Sequence, residues 1–161
     1  MTRFSVYMPA YNAAQTLPEV IERIPPSAWH RCDDIAIVDD GSTDTTSRVI
    51  DELAVRYKTI RRISLKHNQG YGTAVRAGIA ANLESSPRYL LCLHADGQYP
   101  PELMETFVDH AQANGIDILQ GSRHLEGTAR QGGMPLYKVI AGHALCAVEN
   151  AAFGMKLTDY H

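Results

Sequence analysis

Ile35-Ala-Ile-Val-Asp-Asp-Gly-Ser-Thr-Asp44 decides the fold of this 161-residue chain. Its first four residues form an unbroken apolar run, the pattern of a strand covered on both faces. Asp39, Asp40 and Gly41 follow as turn-forming residues. Ser42, Thr43 and Asp44 are N-cap types, and Val49, Ile50, Leu53, Ala54 and Tyr57 then recur at helical spacing. A buried strand that turns through a short polar loop into an amphipathic helix is one unit of a parallel α/β sheet.

The unit recurs outward in both directions. Upstream, Phe4–Met8 alternates as a strand, and Thr16-Leu-Pro-Glu19 has capping-box spacing for a helix that Pro25-Pro26 stops near Ile24. Downstream, Ile60–Leu65 is a third strand and Tyr71 to about Leu83 a third helix. Tyr89–Leu93 is a fourth, buried strand. Pro100-Pro101 opens a fourth helix with Leu103, Phe107, Val108 and Ala111 inward, and Ile116–Leu119 is a fifth strand. The predicted fold class is α/β, a Rossmann-like, mostly parallel sheet with helices on both faces. After Gly121 the pattern changes to a Gly-rich loop over roughly 126–135. A helix then carries Leu136, Val139, Ile140, Ala144, Ala147, Val148 and Ala151 at helical spacing. That stripe suits core packing, and it also suits a helix lying on a membrane surface.

Composition narrows the function classes. Hydrophobic residues at 45% and charged residues at 20% describe a globular chain of one domain, 1–161. A net charge of −3 argues against a nucleic-acid partner. No apolar run reaches the roughly 18 residues of a membrane span, and the N-terminus lacks a signal-peptide core. Cys32, Cys92 and Cys146 form no CxxC pair, which suits ordinary thiols in a reducing, cytoplasmic setting.

In such a sheet, ligands bind beyond the carboxyl ends of the strands. There the sequence places Pro9, Ala10, Tyr11 and Asn12; Asp39 and Asp40; His67, Asn68 and Gly70; His94, Ala95, Asp96 and Gln98; and Gly121, Ser122 and Arg123. Ionised Asp39 and Asp40 only accept hydrogen bonds and suit a base or a ribose, although Asp-Gly is also a common turn dipeptide. Asp96 and Gln98 supply hard oxygens, an incomplete cage for Mg²⁺ or Mn²⁺ that substrate phosphates complete. His94 is a candidate third ligand or a packed imidazole. Gly70, Gly72 and Gly78 permit close approach at a helix start, but the spacing is neither GxGxxG nor a Walker loop. Arg123 and Lys138 are candidate anion contacts, and Gly132-Gly133 suggests a loop that closes on a ligand.

Taken in order, these motifs resemble the family 2 inverting glycosyltransferases of GT-A fold, in particular the dolichyl-phosphate or polyprenyl-phosphate sugar synthases. The matching stretches are Met8-Pro-Ala-Tyr-Asn12, Val38-Asp-Asp-Gly-Ser-Thr-Asp44, His67-Asn-Gln-Gly-Tyr-Gly72 with Ala77-Gly78, His94-Ala-Asp-Gly-Gln-Tyr-Pro-Pro-Glu102, Gly121-Ser-Arg123 and Gly132-Gly-Met-Pro135. The resemblance implies transfer of a sugar from a UDP- or GDP-linked donor to a lipid phosphate, at the cytoplasmic face of a membrane. It implies that Pro9, Tyr11 and Asp39 frame the base and that Asp40 lies near the ribose. Asn68, Gly70 and Ala95 join the donor site, and Asp96 with Gln98 holds the divalent ion, His94 standing beside them. Arg123 and Lys138 would face the phosphates, and Asp159 would lie near the acceptor as a late carboxylate. A donor-binding part, 1–123, and a partial acceptor side, 124–161, follow.

The chain departs from the family pattern at three places. His94 stands where the family has the first acid of its DxD motif, and Ala13 where a Glu is common. Acceptor-side helices usual in the family do not follow His161. The expectations are donor binding without efficient transfer, and partial exposure of Leu136, Val139 and Ile140, or their burial against a second copy of the chain. A donor-binding module without turnover, or a transferase acting on a saccharide or protein hydroxyl, is the alternative. A nucleotidyltransferase is disfavoured because Pro9-Ala-Tyr-Asn12 has neither the Gly-rich loop nor the basic residue that chemistry wants.

Overall fold

The computed structural model describes residues 2–83, 85–122 and 135–158, with the backbone alone at Lys138. It divides into two compact units, Met1–Ile116 and Asp117–His161. In the first, β1 (Phe4–Ala10), β2 (Cys32–Asp39), β3 (Ile60–Ser64) and β4 (Leu90–Cys92) form a parallel sheet in the order β3-β2-β1-β4. Helices α1 (Leu17–Glu22), α2 (Pro26–Arg31), α3 (Thr46–Arg56) and α4 (Tyr71–Leu83) connect the strands. After β4, a 3-10 turn at Pro101–Leu103 leads into α5 (Met104–Asn114).

The alternation of β1 sets the two layers. Phe4, Val6 and Met8 are fully buried and pack with Ile35 and Ile37 of β2. Leu17, Val20 and Ile21 of α1, Ile50 and Leu53 of α3, and Met104 and Val108 of α5 complete that core. Each such side chain contributes on the order of 1.5–3 kcal/mol by leaving water. Tyr7 points to the other face, against Gly78 of α4, where an added Cβ would stand 2.8 Å from the tyrosine ring. A glycine there lets α4 approach the sheet closely, so helices cover both faces as expected. Across the edge of the core, buried Arg31 of α2 ties Glu105 and Asp109 of α5, with its shortest contact at 2.6 Å to Asp109.

Four local expectations are corrected. The fifth strand over Ile116–Leu119 does not form. Gly115 closes α5 in the left-handed region (φ 62°), the Ile116 N–H turns back to the Ala111 carbonyl at 2.9 Å, and Ile118 is 89% exposed. The four residues Ile116-Asp-Ile-Leu119 carry too little periodicity to separate a strand from a loop. Pro25-Pro26 ends α1 but also opens α2, since proline is well suited to a first helical turn, and β2 begins at Cys32. Neither α1 nor α3 has a side-chain cap bond at its N-cap residue. Thr16 instead donates to the Ala95 carbonyl at 2.7 Å, while Asp44 accepts the N–H of Thr46 at 2.9 Å. Finally, Met104 faces the core in place of Leu103, which is exposed, because the 3-10 turn shifts the helical phase.

In the second unit, α6 (Leu136–Phe153) starts after Pro135 and ends at Gly154 in the left-handed region. Asn150 turns the following segment back by pairing with both the N–H and the carbonyl of Leu157 at 2.8 Å, and Cys146 is buried beside it. Leu136, Ile140 and Val148 are exposed and Val139 is half-buried, so the stripe does not form a core here. No described helix is long and apolar enough to cross a membrane.

Candidate functional site

The carboxyl ends of the strands converge on a pocket of about 320 Å³. Pro9 and Ala10 line it at the end of β1, Tyr11 and Ala13 after that strand, Asp40 after β2, and Asn68, Gly70, Tyr71 and Ala74 after β3. His94, Ala95 and Asp96 line it after β4. Seven of the expected donor residues, Pro9, Tyr11, Asp40, Asn68, Gly70, Ala95 and Asp96, are therefore brought together, with His94 among them. Asp39 and Gln98 stand just outside the lining. Arg123 and Asp159 lie outside the described residues, as does the Lys138 side chain.

Hydrogen bonds that cross from loop to loop build one side of this pocket. Asp40 is 3% exposed, and its two oxygens accept the N–H groups of Gln69 at 2.8 Å and Gly70 at 2.9 Å. Asp39 is 2% exposed and accepts the N–H of Ser42 at 2.9 Å and the hydroxyl of Ser47. Gly41 has φ +65°, and an added Cβ would lie 2.3 Å from the His67 backbone. Asn12, itself left-handed at φ 50°, accepts the N–H groups of Thr43 at 2.9 Å and Asp44 at 3.3 Å. The loops after β1, β2 and β3 are thus one woven body. Carboxylates bonded by backbone N–H groups are strong, charge-assisted acceptors, and the turn that Asp-Gly suggested is the one that holds this body.

The other side is more open. Asp96 is exposed, and its Oδ1 accepts the N–H of Gln98 at 3.0 Å across Gly97, which has φ +75°. The loop is braced from α1 by Thr16 on Ala95 and by a two-pronged Arg23–Glu102 pair at 2.8 and 3.1 Å. That bond holds the Glu102 carboxyl below its ordinary range. The His94 ring lies between two tyrosines. Tyr71 Oη is 3.1 Å from Nε2, and the Tyr99 ring centre is 4.3 Å away. Burial pushes the imidazole below its usual value, with Asp96 pulling the opposite way. Burial also pushes Tyr71 up to about 12. Beneath them Cys92 pairs in register with Tyr7, and burial pushes its thiol up.

Sequence reasoning assigned no site role to Tyr71, Tyr99 or Cys92. An aromatic residue opening a helix on the ligand edge was the signal for Tyr71. Nothing in the sequence joins it to His94, which lies at the other end of the same connection, after β4.

The match to a family model is decisive: residues 5–151 fit the model of glycosyl transferase family 2. The chain belongs to glycosyl transferase family 2. Among the family's curated members, it is 34% identical over 131 residues to the polyprenol monophosphomannose synthase of Mycolicibacterium smegmatis, covering 78% of this chain and 46% of that protein. It is 35% identical over 127 residues to the dolichol-phosphate mannosyltransferase of Pyrococcus furiosus, covering 78% and 34%. The chain spans between a third and three-fifths of such relatives, the last being an uncharacterized Methanocaldococcus jannaschii protein of which it covers 60%. The fold is GT-A. S. aureus TarS 1–349 in complex with UDP superposes with TM-score 0.58 at 18% identity, over 71% of this chain and 33% of that one. The Pyrobaculum calidifontis mannosyltransferase in complex with GDP-Man and Mn²⁺ gives 0.50 at 20%, over 58% and 27%.

A divalent ion fits the donor set without a preformed cage. Among the described residues no group of three or more His, Cys, Asp or Glu could hold a metal. The exposed Asp96 carboxylate beside Gln98 matches the one or two protein oxygens that Mg²⁺ or Mn²⁺ takes when substrate phosphates supply the rest.

Proposed function

We propose that this chain binds a UDP- or GDP-linked sugar and belongs to an inverting transferase whose acceptor is a polyprenyl or dolichyl phosphate. One observation carries this reading: the first four of the six stretches that carry the resemblance all contribute to the pocket at the strand ends. The relatives named above support the lipid-phosphate acceptor, and the UDP and GDP-Man held by structures of the same fold support the donor class.

Tyr11, exposed at the rim, offers a face for the base beside Pro9. Asp40 presents its woven loop to the ribose from within the pocket, and Asp39 acts on the base side through the turn it holds. The N-terminal turn of α4, with Gly70 and Asn68, faces the phosphates, where helix N–H groups favour negative charge. Asp96 and Gln98 would hold Mg²⁺ or Mn²⁺, which offsets the charge growing on the diphosphate leaving group. Arg123 and Lys138 add positive charge at the phosphates. A phosphate oxygen of the acceptor attacks the anomeric carbon as the bond to the diphosphate oxygen breaks on the opposite face, which inverts that carbon. A lipid phosphate is already an anion and needs little base; a hydroxyl acceptor would need one, and Asp159 would serve.

All pocket residues lie between Pro9 and Asp96, so donor binding is separable from transfer. The donor-binding part is 1–123 and the acceptor side 124–161, with the exposed stripe of α6 meeting the membrane surface or a second copy. Calorimetry against UDP-, GDP- and sugar-linked forms, with EDTA or Mn²⁺, followed by a transfer assay on polyprenyl phosphate, tests this. Binding of either nucleotide supports it; binding of neither sinks it.

A further inference from the structure

Thr16 has the residue type and spacing of a helix N-cap, yet its own backbone is already helical (φ −95°, ψ −35°) and its side chain makes no cap bond. A hydroxyl has one proton to give, and Thr16 gives it to the Ala95 carbonyl at 2.7 Å, on the loop after β4. Thr16 itself is anchored on the woven side of the pocket. The Ala13 carbonyl accepts the N–H groups of Thr16 at 3.2 Å and Leu17 at 2.9 Å. The Ala13 N–H is held by the Thr46 hydroxyl at 2.8 Å, and Thr46 is bonded in turn to Asp44. The Thr16 hydroxyl therefore ties the more open loop to the rigid body.

The carbonyl it holds matters because of what shares its plane. The Leu93 N–H bonds the Tyr7 carbonyl at 3.1 Å, and Asp96 stands three residues beyond this tie to β1. A peptide unit is planar, so the Ala95 carbonyl and the Asp96 N–H and Cα move as one piece. Holding that oxygen fixes the plane from which the Asp96 side chain departs. On the far side of Asp96, Arg23 Nη1 reaches the Gly97 carbonyl at 3.5 Å. Thr16 and Arg23 stand at the two ends of α1, so one short helix holds the loop before and after Asp96, and the Thr16 bond is much the shorter.

We propose that Thr16 is a positioning residue for the divalent ion: its hydroxyl sets the peptide that presents Asp96 to the ion, although Thr16 does not line the pocket. This rests on the functional reading above, in which Asp96 and Gln98 hold Mg²⁺ or Mn²⁺ at the donor phosphates. An ion that takes only one or two protein oxygens has no further protein ligand to make up for a displaced carboxylate. Partners that orient a metal ligand from behind are worth tenfold or more in metal affinity. Thr16 is exposed, so water replaces the lost donor at the carbonyl when the hydroxyl is removed. Folding then changes little, and the effect falls on the aim of Asp96.

Calorimetry on the full chain gives the UDP and GDP affinities in Mn²⁺ and in EDTA, and their ratio is the ion's contribution. Thr16→Val keeps the branched shape and removes the donor; it should cut that ratio about tenfold. Thr16→Ser keeps the hydroxyl and should restore most of it. In ligand-free ¹⁵N-labelled protein the Asp96 amide resonance should move in Thr16→Val and stay in Thr16→Ser, because that N–H shares its peptide with the Ala95 carbonyl. A role in folding alone would lower the urea midpoint and leave the ratio as it was. An unchanged ratio in Thr16→Val overturns the proposal, as does an equal loss in Thr16→Val and Thr16→Ser. If Thr16→Val does not fold, Thr16→Ala is compared with Thr16→Ser in its place. Equal affinity of the unaltered chain in Mn²⁺ and EDTA removes the ion from the site and overturns the proposal, while nucleotide binding stands. Binding of neither nucleotide in either condition overturns the functional reading itself, and the role of Thr16 with it.

Discussion

Asp40 and Asp96 stand at the ends of β2 and β4, on the two sides of one pocket. Asp40 is buried, and both its oxygens are held by backbone N–H groups of the loop after β3. Asp96 is exposed, and among the described residues it bonds within its own loop, to the N–H two residues on. The difference follows from the sheet order. β2 lies between β1 and β3, so its loop has a neighbour on each side and is woven into both. β4 pairs with β1 alone among the described strands, and its loop is held by side chains, Thr16 and Arg23 at the two ends of α1 and Tyr71 at the start of α4, instead of by a neighbouring strand's loop. One side of the site is built to be rigid before any ligand arrives, and the other keeps its charge for a ligand.

The largest effect that can break this contrast is expected at Gly41. Alanine there would occupy a left-handed conformation with its Cβ 2.3 Å from the His67 backbone. Gly41→Ala should lower unfolding stability by more than about 3 kcal/mol, read from urea titration. A variant of ordinary stability would show that the woven side is loose.

Next comes Asp40→Ala, which leaves two amide N–H groups without their acceptors and should cost about 2–3 kcal/mol. If stability holds and only nucleotide affinity falls, Asp40 belongs with Asp96 as a ligand-facing acid. Asp96→Asn should do the opposite. Its unfolding stability should change by less than about 0.5 kcal/mol, while the part of UDP or GDP binding that depends on Mn²⁺ disappears. Equal nucleotide binding in EDTA and Mn²⁺ by the unaltered protein would remove Asp96 from metal binding.

The smallest effect concerns the brace. Arg23 holds the Glu102 carboxyl below its ordinary value. A depressed carboxylate adds stability above its unfolded value, and that addition is lost as pH falls through the folded value. Arg23→Gln should therefore be slightly less stable than the unaltered protein at neutral pH. The two should converge once the solution is acidic enough to protonate Glu102. A gap that persists in acid would assign Arg23 a packing role.

Much of the architecture was legible because it depends on local signals. Apolar runs at Ile35–Val38 and periodic faces such as Ile50 and Leu53 need no knowledge of neighbours to be read as strand and helix. The first four strand–helix units, the helix over Tyr71–Leu83 and the gathering of Pro9, Tyr11, Asp40, Asn68, Gly70 and Asp96 at one edge followed from their order along the chain. Where a signal was short, as at Ile116–Leu119, its outcome depended on whether a partner strand stood beside it, and the run stayed unpaired.

Only the tertiary structure decided what each side chain does once there. Asp39 and Asp96 are the same residue type after similar strands, and composition cannot say which is closed by Ser42 and Ser47 and which stays open. Tyr7 stands beside Cys92, and Tyr71 reaches His94, only because parallel strands with crossover helices bring β1, β4 and the start of α4 together. A hydrogen bond depends on distance and direction, to a few tenths of an ångström, and on which partners burial leaves available. A residue's type and its place in the chain determine the element it joins; the packing of distant elements determines the partner it finds.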